Sequence, residues 1–289
     1  MGMFSLFNVS NTVYFPGCAT YFRFKENFEV YQRVFSRMGI GFRLIDKKIC
    51  CGVDAFEAGY EGEARKLARR NFEIFKEEGI DGIITNSPEA YRMFLQKYPD
   101  FLPDWNIEVK NVWSLMLERL KNKPKLIKHK AMEVVTYHDS CSLGRGCGSY
   151  DDVREILELF GYEVREMSDS REESVCCGSC GGLVVVNPEL ANKIAKERIL
   201  QAKRIGVKKI VVCSMKNYEL LDRNAGDDME IVELSEILAV GLGLKVRREE
   251  KEEYIDGEER VINDTQANIN IERELKDEDY YEGNDGRDK

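Results

Sequence analysis

The sequence predicts an α/β protein made of two duplicated halves, each with a parallel β-sheet, followed by an acidic C-terminal tail. The segment from Ala64 to Thr85 aligns without a gap with the segment from Ala191 to Val212, and both combine a helix-period pattern with a short apolar run. Internal similarity of this kind indicates a duplicated structural unit. Strands that alternate with helices favour a parallel sheet with right-handed crossovers.

The elements of the two halves are predicted in the same order. The repeated helix ends at Gly79 or Gly206, a residue type that often terminates helices, and an apolar strand follows it. The other elements are an opening strand, a helix, a second strand and a late strand followed by a helix: Thr12 to Phe15 and Glu133 to Tyr137; about Phe28 to Met38 and Val153 to Phe160; Gly41 to Ile45 and Glu163 to Glu166; Ile107 to Lys110 and Glu230 to Val232.

Cysteines recur at matching places after the predicted strands. Shifts of 126 and 123 residues match three cysteines of the first half, Cys50, Cys51 and Cys18, with Cys176, Cys177 and Cys141 of the second. A further cysteine, Cys213, follows the predicted strand from Lys209 to Val212. Because ligands of such sheets bind outside the carboxyl ends of the strands, we expect metal-cluster loops at this edge of each half.

The predicted boundaries follow the repeat. Residues 1–127 form the first half, residues 128–246 the second, and residues 247–289 the tail. The tail has 16 acidic and 8 basic residues, which accounts for nearly all of the net charge of −9. Its composition is typical of a disordered segment. The alternative is an arm that becomes ordered on a partner, which the apolar residues Val261, Ile262, Ile269 and Ile271 would support.

Composition and charge exclude several classes of function. A hydrophobic share of 43% and a charged share of 33% are typical of a soluble globular protein. The net charge of −9 argues against general nucleic-acid binding, because phosphate contacts need a basic surface. The sequence shows no signal-peptide, myristoylation or membrane-span pattern. We therefore expect a cytoplasmic protein that meets a membrane, if at all, through its partners.

The nine cysteines favour metal binding or catalysis, because disulfides are rare in a reducing compartment. The second half contains YHDSC, ending at Cys141, then VCCGSCGGL with Cys176, Cys177 and Cys180, then VVCSMK with Cys213. Iron-sulfur clusters are held by several thiolates, and glycines let backbone N–H groups approach the sulfurs. Structural zinc with four thiolates is the chemical alternative.

The spacing C…CCG…CxxC resembles the cysteine-rich CCG domain that occurs twice in one of the iron-sulfur subunits of heterodisulfide reductase. The resemblance covers roughly residues 10–240 and includes the segments YHDSCSLGRGCGSYDDVREIL and CCGSCGGLVVVNPELANKIAKERI. Related iron-sulfur subunits occur in glycolate, lactate, glycerol-3-phosphate and some succinate oxidoreductases. The resemblance implies a non-cubane [4Fe-4S] cluster held by Cys141, Cys176, Cys177 and Cys213.

The second half departs from the family motif at its last cysteine. The expected CxxC reads CSMK from Cys213 to Lys216, so a lysine stands where the fifth thiolate is expected. Cys180 either supplies that thiolate or is a free thiol near the site. Cys147 has no counterpart in the motif, and we interpret it as structural.

The first half departs further from the motif. Cys18, Cys50 and Cys51 are in place, but the CxxC position reads NSPE from Asn86 to Glu89. Three thiolates could hold zinc with an added glutamate or water, hold a different cluster, or be vestigial. We expect a metal at Cys18, Cys50 and Cys51, and we do not expect a disulfide mechanism that needs two intact clusters.

Four other residues have a functional and a structural interpretation. His138 either tunes the cluster or holds its loop by a hydrogen bond, and the second is preferred. Arg145 either binds a substrate anion or forms a structural ion pair, which is again preferred. Lys216 either pairs with an anion or is solvated, and His129 is expected at the surface.

The sequence therefore predicts the iron-sulfur subunit of a multi-subunit oxidoreductase, without assigning a catalytic residue. It has no intact GxGxxG motif and no CxxCxxC run, so the partners would be a ferredoxin-like iron-sulfur subunit, a flavoprotein subunit or both. A heterodisulfide reductase-like function is preferred. The alternatives are an electron-transfer or anchoring subunit of a glycolate, lactate, glycerol-3-phosphate or succinate dehydrogenase, a zinc-binding assembly subunit and, least favoured, a metal-free thiol protein.

Overall fold

Two parallel β-sheets form the framework of the structure, a computed structural model that describes residues 11–45 and 49–245. The first sheet has the strand order β1-β2-β3 and the second the order β5-β4-β6-β7. Each pairing within them is parallel. The strands are β1 (Thr12–Phe15), β2 (Gly82–Thr85), β3 (Glu108–Asn111), β4 (Val134–Tyr137), β5 (Glu163–Val164), β6 (Lys209–Val212) and β7 (Glu230–Glu233).

Helices connect these strands and flank the sheets. The α-helices are α1 (Lys25–Met38), α2 (Val53–Glu57), α3 (Glu61–Glu77), α4 (Pro88–Arg92), α5 (Tyr98–Phe101), α6 (Val112–Asn122), α7 (Gly144–Cys147), α8 (Asp152–Leu159), α9 (Leu183–Val186), α10 (Pro188–Arg204), α11 (Met215–Asn224) and α12 (Leu234–Gly241). Short π-helices cover Ala19–Arg23 and Met93–Lys97, and 3₁₀ turns cover Pro124–Leu126 and Arg171–Glu173. The predicted fold class, two duplicated parallel-sheet α/β halves, is confirmed.

A central hydrophobic core is shared by the two halves. Along β1, Tyr14 lies in this core, whereas Val13 and Phe15 lie in a cluster confined to the first half, because successive side chains of a strand point to opposite faces. A third cluster is confined to the second half. Most of the buried side chains of the central core come from α1 and α6 of the first half and from α8 and α12 of the second.

The predicted strand from Gly41 to Ile45 is wrong in extent. It is reduced to a single bridge in which Arg43 pairs with Val13. In the second half the matching strand, β5, is only two residues long. Each segment pairs with the sheet on one side, so neither gains the second row of hydrogen bonds that holds an inner strand.

Matching serines start α4 and α11 directly after β2 and β6. The Ser87 and Ser214 hydroxyl oxygens each accept a hydrogen bond from the backbone N–H three residues later, at 3.2 and 3.5 Å. Serine is a preferred helix N-cap because it satisfies one of the unpaired N–H groups of the first turn. The turn places the residue before the cap, Asn86 or Cys213, at the carboxyl edge of its sheet.

Within the described residues, no helix has the length and apolarity needed to cross a membrane. The acidic tail lies outside the described residues, and the boundary between residues 127 and 128 stays a prediction.

Candidate metal centre

The cysteines of the second half gather in loops at the carboxyl edge of its sheet. Cys141 follows β4, and the Cys176-Cys177 pair lies in the loop before α9. The Cys141 thiol is hydrogen-bonded to Cys176 and to Cys180, and Cys177 is hydrogen-bonded to Cys176. The structure therefore brings four of the five predicted second-half ligands into one hydrogen-bonded group.

A glycine with a left-handed backbone follows each cysteine pair. Gly178 has a φ of 90°, and a Cβ atom there would lie 3.0 Å from the backbone oxygen of Ala191 in α10. In the first half, Gly52 has a φ of 81° and lies against Ala64, the matching position in α3. The Gly178 N–H donates to the sulfur of Cys176 at 3.3 Å, so this close approach gives the sulfur a hydrogen-bond donor.

The hydrogen bonds among the thiols distribute their protons unequally. Hydrogen bonds from Cys141 and then from Cys177 lower the pKa of Cys176. The same contacts, with burial, raise the pKa of Cys141 and of Cys177. Because the thiolate is the form that binds metal, Cys176 is the thiol of this group that is most readily available as a ligand.

Cys213 stands directly after β6 and is buried in the central core. Its sulfur lies 3.0 Å from the hydroxyl oxygen of Tyr137, the last residue of β4. Burial raises the pKa of the Cys213 thiol. Four residues later, the side-chain amide of Asn217 donates to the sulfur of Cys177 at 3.3 Å, so α11 connects Cys213 to the other cysteines.

The histidine next to this site holds the loop. The Nδ1 atom of His138 accepts a hydrogen bond from Nε of Arg198 at 3.1 Å, and both side chains are buried. Burial, and then the charge of Arg198, lower the pKa of His138 to about 3, so the imidazole is neutral near pH 7. The preferred interpretation of His138 as a hydrogen-bonded loop residue is confirmed, and His129 is exposed as predicted.

Two arginines support the same loops. Arg154 is buried and forms paired hydrogen bonds with the carboxylate of Asp139, at 2.7 and 2.8 Å, and with that of Glu166, at 2.6 and 2.9 Å. Arg145 donates to two backbone oxygens, one of them that of Ser174. Its role among the described residues is structural, but the partner is the peptide backbone and not the carboxylate that we expected.

The first-half cysteines line an open cleft with about 420 Å³ of empty space. Cys18 is hydrogen-bonded to Cys50, and this bond raises the pKa of Cys18 and lowers the pKa of Cys50 to about 7. Cys51 lines the same cleft, as do the acidic residues Asp54 and Glu89. The structure therefore gathers the three predicted first-half ligands and adds two carboxylates that the sequence did not single out.

Glu89 and Lys216 occupy matching positions in the two halves, and each reaches toward the site of the other half. The Glu89 Oε1 atom accepts a hydrogen bond from the Ser214 hydroxyl at 2.8 Å and lies 3.8 Å from the Cys180 sulfur. Lys216 forms an ion pair with Asp54. Although burial lowers it, the nearby carboxylates of Asp54 and Glu89 raise the pKa of Lys216 above its usual value. Lys216 is therefore paired with an anion of its own chain.

Cys147 lies at the end of α7 and is partly buried. Burial raises its pKa to about 11, and its charged neighbour is Arg92 of the first half. These surroundings agree with the structural interpretation of Cys147.

The groups around the second-half sulfurs suit an iron-sulfur cluster. The backbone of Gly178 and the side chains of Asn217 and Tyr137 lie within hydrogen-bond distance of three different cysteine sulfurs. Such contacts stabilise negative charge on cluster thiolates. Across residues 11–45 and 49–245, no group of three or more His, Cys, Asp or Glu side chains is placed to hold a single metal ion.

Comparison with protein families decides the relationship that the motifs suggested. The model of a cysteine-rich domain, CCG, matches residues 12–94 and again residues 135–216. This chain belongs to the CCG cysteine-rich domain family. The two matches contain all nine cysteines and are separated by the same repeat that the sequence shows. The predicted resemblance is confirmed.

Curated relatives of this CCG protein are iron-sulfur oxidoreductases. It is 32% identical over 232 residues to "Probable iron-sulfur-binding oxidoreductase FadF" of Bacillus subtilis, covering 77% of this chain and 32% of FadF. It is 32% identical over 214 residues to the EtfAB:quinone oxidoreductase of Syntrophomonas wolfei, covering 73% and 29%. It is 28% identical over 247 residues to one subunit of the dihydromethanophenazine:CoB–CoM heterodisulfide reductase of Methanosarcina acetivorans, covering 82% and 60%.

The chain spans from 29% to 60% of the length of these relatives. The family and the relatives confirm the coarser prediction, an iron-sulfur protein related to oxidoreductase subunits. Among solved structures, a hypothetical protein from Helicobacter pylori matches with a TM-score of 0.60 and 14% identity, covering 82% of this chain and 49% of that chain. This likeness concerns the fold alone.

Three polar residues beside the cysteines are absent from the predicted site: Tyr137, Asn217 and Glu89. The repeat contained a signal for the first, because the shift of 123 residues that matches Cys18 with Cys141 also matches Tyr14 with Tyr137. The contacts of Glu89 cross from one half to the other, so no local sequence pattern reveals them.

Proposed function

We propose that this CCG protein is a heterodisulfide reductase-like iron-sulfur subunit that carries one [4Fe-4S] cluster, of the non-cubane kind, in its second half. Cys141, Cys176, Cys177 and Cys213 would bind the cluster, and Cys180 would supply the fifth thiolate. The observation that carries the proposal is the hydrogen-bonded contact of Cys141 with Cys176 and Cys180 inside a matched CCG domain.

The side chains around the proposed ligands would keep them in place and out of water. Cys177 and Cys213 are buried, with exposed fractions of 3% or less, and Asn217 holds Cys177 through a hydrogen bond. A bound cluster supplies one-electron transfer, either to a partner or to a sulfur compound. Fixed donors that already point at the sulfurs do not have to reorganise when charge arrives.

We further propose that electrons enter or leave through another subunit, either ferredoxin-like or a flavoprotein. Cys141, Cys176 and Cys180 are only partly buried, so this side of the site is close to the surface. In α9, which follows Cys180 after two glycines, Val185 and Val186 are 86% and 83% exposed. Exposed apolar side chains beside a redox site favour contact with another protein.

A second candidate is the electron-transfer subunit of a dehydrogenase complex that passes electrons to a quinone. The observation that favours it is the 32% identity to EtfAB:quinone oxidoreductase, against 28% to the heterodisulfide reductase subunit. In that complex the cluster would relay electrons and would not meet a disulfide. Assays of the purified complex with a quinone and with a disulfide as electron acceptors separate the two candidates.

In the first half, the same proposal assigns a smaller metal site to Cys18, Cys50 and Cys51. Asp54 and Glu89 line the cleft with these cysteines and offer oxygen donors for zinc, which accepts mixed sulfur and oxygen ligands. A second cluster is the alternative occupant.

Metal analysis under anaerobic conditions tests both sites. Iron, acid-labile sulfide and zinc would be measured, with EPR spectra, for the wild type, Cys177→Ser and Cys51→Ser. We expect Cys177→Ser to lose the iron signal and Cys51→Ser to lose only the metal of the first half. An unchanged iron signal in Cys177→Ser would contradict the assignment, and zinc without iron or sulfide would support an assembly subunit.

The fifth ligand is tested with a matched pair of cysteine variants. We expect Cys180→Ser to change the EPR spectrum and lower the iron content, because its thiol contacts Cys141. Cys147→Ser removes a partly buried thiol of the same half and should match the wild type. Identical spectra for both variants would mean that Cys180 is a free thiol.

A further inference from the structure

We infer that Tyr137 raises the reduction potential of the second-half cluster by donating a hydrogen bond to the sulfur of Cys213. This inference rests on the proposed function, because it requires Cys213 to be a cluster ligand. The hydroxyl oxygen of Tyr137 lies 3.0 Å from the Cys213 sulfur, and both side chains are about 1% exposed. The contact is thus shielded from water.

The chemistry of the site determines which atom donates. In a protein without metal, either the phenol or the thiol can provide the proton of this hydrogen bond. A cysteine bound to iron is a thiolate, which has no proton and can only accept. The Tyr137 O–H group is therefore the donor once a cluster is bound.

The equivalent contact in the first half shows that the fold itself positions this tyrosine. Tyr14 matches Tyr137, and its hydroxyl donates to the Oδ1 atom of Asn86 at 3.0 Å. Asn86 follows β2 as Cys213 follows β6, so both halves point a tyrosine from one strand end at the first residue after the neighbouring strand. The distance is kept although the acceptor has changed from a sulfur to an amide.

The surroundings of Tyr137 hold its ring in one orientation. The guanidinium carbon of Arg154 lies 5.1 Å from the centre of the ring, and Arg154 is fixed by its hydrogen bonds to Asp139 and Glu166. A cation over an aromatic face is attractive, more so when it is removed from water. The hydroxyl therefore has little freedom to turn away from Cys213.

The direction of the effect follows from charge. Reduction adds negative charge to the cluster and its sulfur ligands, so a donor to sulfur stabilises the reduced form more than the oxidised form. The buried setting strengthens the interaction because the local dielectric constant is low. Loss of the hydroxyl should therefore make the cluster harder to reduce.

The test is a redox titration, followed by EPR, of Tyr137→Phe, which removes the hydroxyl and keeps the ring. We expect unchanged iron and sulfide and a lower midpoint potential, with a fall of up to about tenfold in the equilibrium constant for one-electron reduction, or about 59 mV. Tyr14→Phe is the matched control, because it removes the equivalent hydroxyl where the acceptor is an amide, and its midpoint should equal that of the wild type.

Equal midpoints for Tyr137→Phe and the wild type, with the cluster present in both, would overturn the inference while leaving the proposed function intact. An equal shift in Tyr14→Phe would also overturn it. Should Tyr137→Phe not fold, wild-type protein grown with 3-fluorotyrosine replaces it, because the more acidic phenol donates more strongly and should raise the midpoint. Wild-type protein without iron would overturn both the proposed function and the inference.

Discussion

The Lys216 ammonium group forms an ion pair with the carboxylate of Asp54, which connects the second half of the chain to the first. Lys216 stands where the motif of the second half calls for its last cysteine, yet it lines the cleft of the first-half cysteines Cys18 and Cys50. The residue at this position in one half thus belongs, in space, to the site of the other.

Replacing this lysine by cysteine should therefore not complete the second-half site. We expect Lys216→Cys to leave the EPR signal of the cluster unchanged and to increase the metal bound beside Cys18, Cys50 and Cys51. Metal analysis of Lys216→Cys, alone and combined with Cys51→Ser, checks this. Lys216→Ser is the control for loss of the ion pair. A gain that persists in the double variant, with an altered cluster spectrum, would show that the new thiol serves the second half.

The first half should regain a ligand at Asn86. In Asn86→Cys the new thiol would stand after β2 as Cys213 stands after β6, next to the Tyr14 hydroxyl. We expect more metal per chain than in the wild type, and Asn86→Ser should show no increase. The change removes hydrogen bonds to Tyr14 and Thr20, which costs about 1 kcal/mol each. Metal content identical in both variants would contradict the proposed equivalence.

The buried arginine of the second half should be essential for stability. Arg154→Met leaves the carboxylate of Asp139 without its charged partner, and the two side chains are only 5% and 2% exposed. Breaking a buried pair in this way typically costs about 3–5 kcal/mol. Arg204→Met removes a pair with Glu197 that is 60% and 52% exposed, and should cost less than about 1 kcal/mol. Urea unfolding under anaerobic conditions compares them, and equal midpoints would contradict the expectation.

Stability should fall in mild acid because of His138. Burial lowers its pKa in the folded protein to about 3, against an ordinary value of 6.5 in the unfolded chain. The unfolded chain therefore binds a proton that the folded protein does not, so stability is lost as the pH falls from 6.5 toward 3. The slope is about 1.4 kcal/mol per pH unit for one proton. Thermal midpoints at pH 7 and pH 5 should differ less in His138→Gln than in the wild type or in His129→Gln.

The sequence predicted the elements that depend on local pattern. β1 and β6 have the predicted bounds, because apolar runs between helices reveal an inner strand. The segment around Arg43 had the composition of a strand but pairs at one residue only, since a ladder needs a partner of matching length. The repeat revealed the parallel architecture before any contact was known.

The site was predictable in part. The spacing of the motif singled out the cysteines, and the structure gathers Cys141, Cys176, Cys177 and Cys180. The positions of Glu89 and Lys216 were not predictable, because their partners are contributed by the opposite half. A contact between residues more than 100 positions apart leaves no periodicity in either segment.

The shared central core has an evolutionary consequence. Helices α1 and α6 of the first half bury their apolar faces in the same core as α8 and α12 of the second. A chain that lost its first half would expose the apolar surface on which the folding of the second half depends. Selection on the cysteine site of one copy therefore also retains the other copy as scaffold, which leaves the ancestral ligand positions of that copy free to drift to residues such as Asn86 and Glu89.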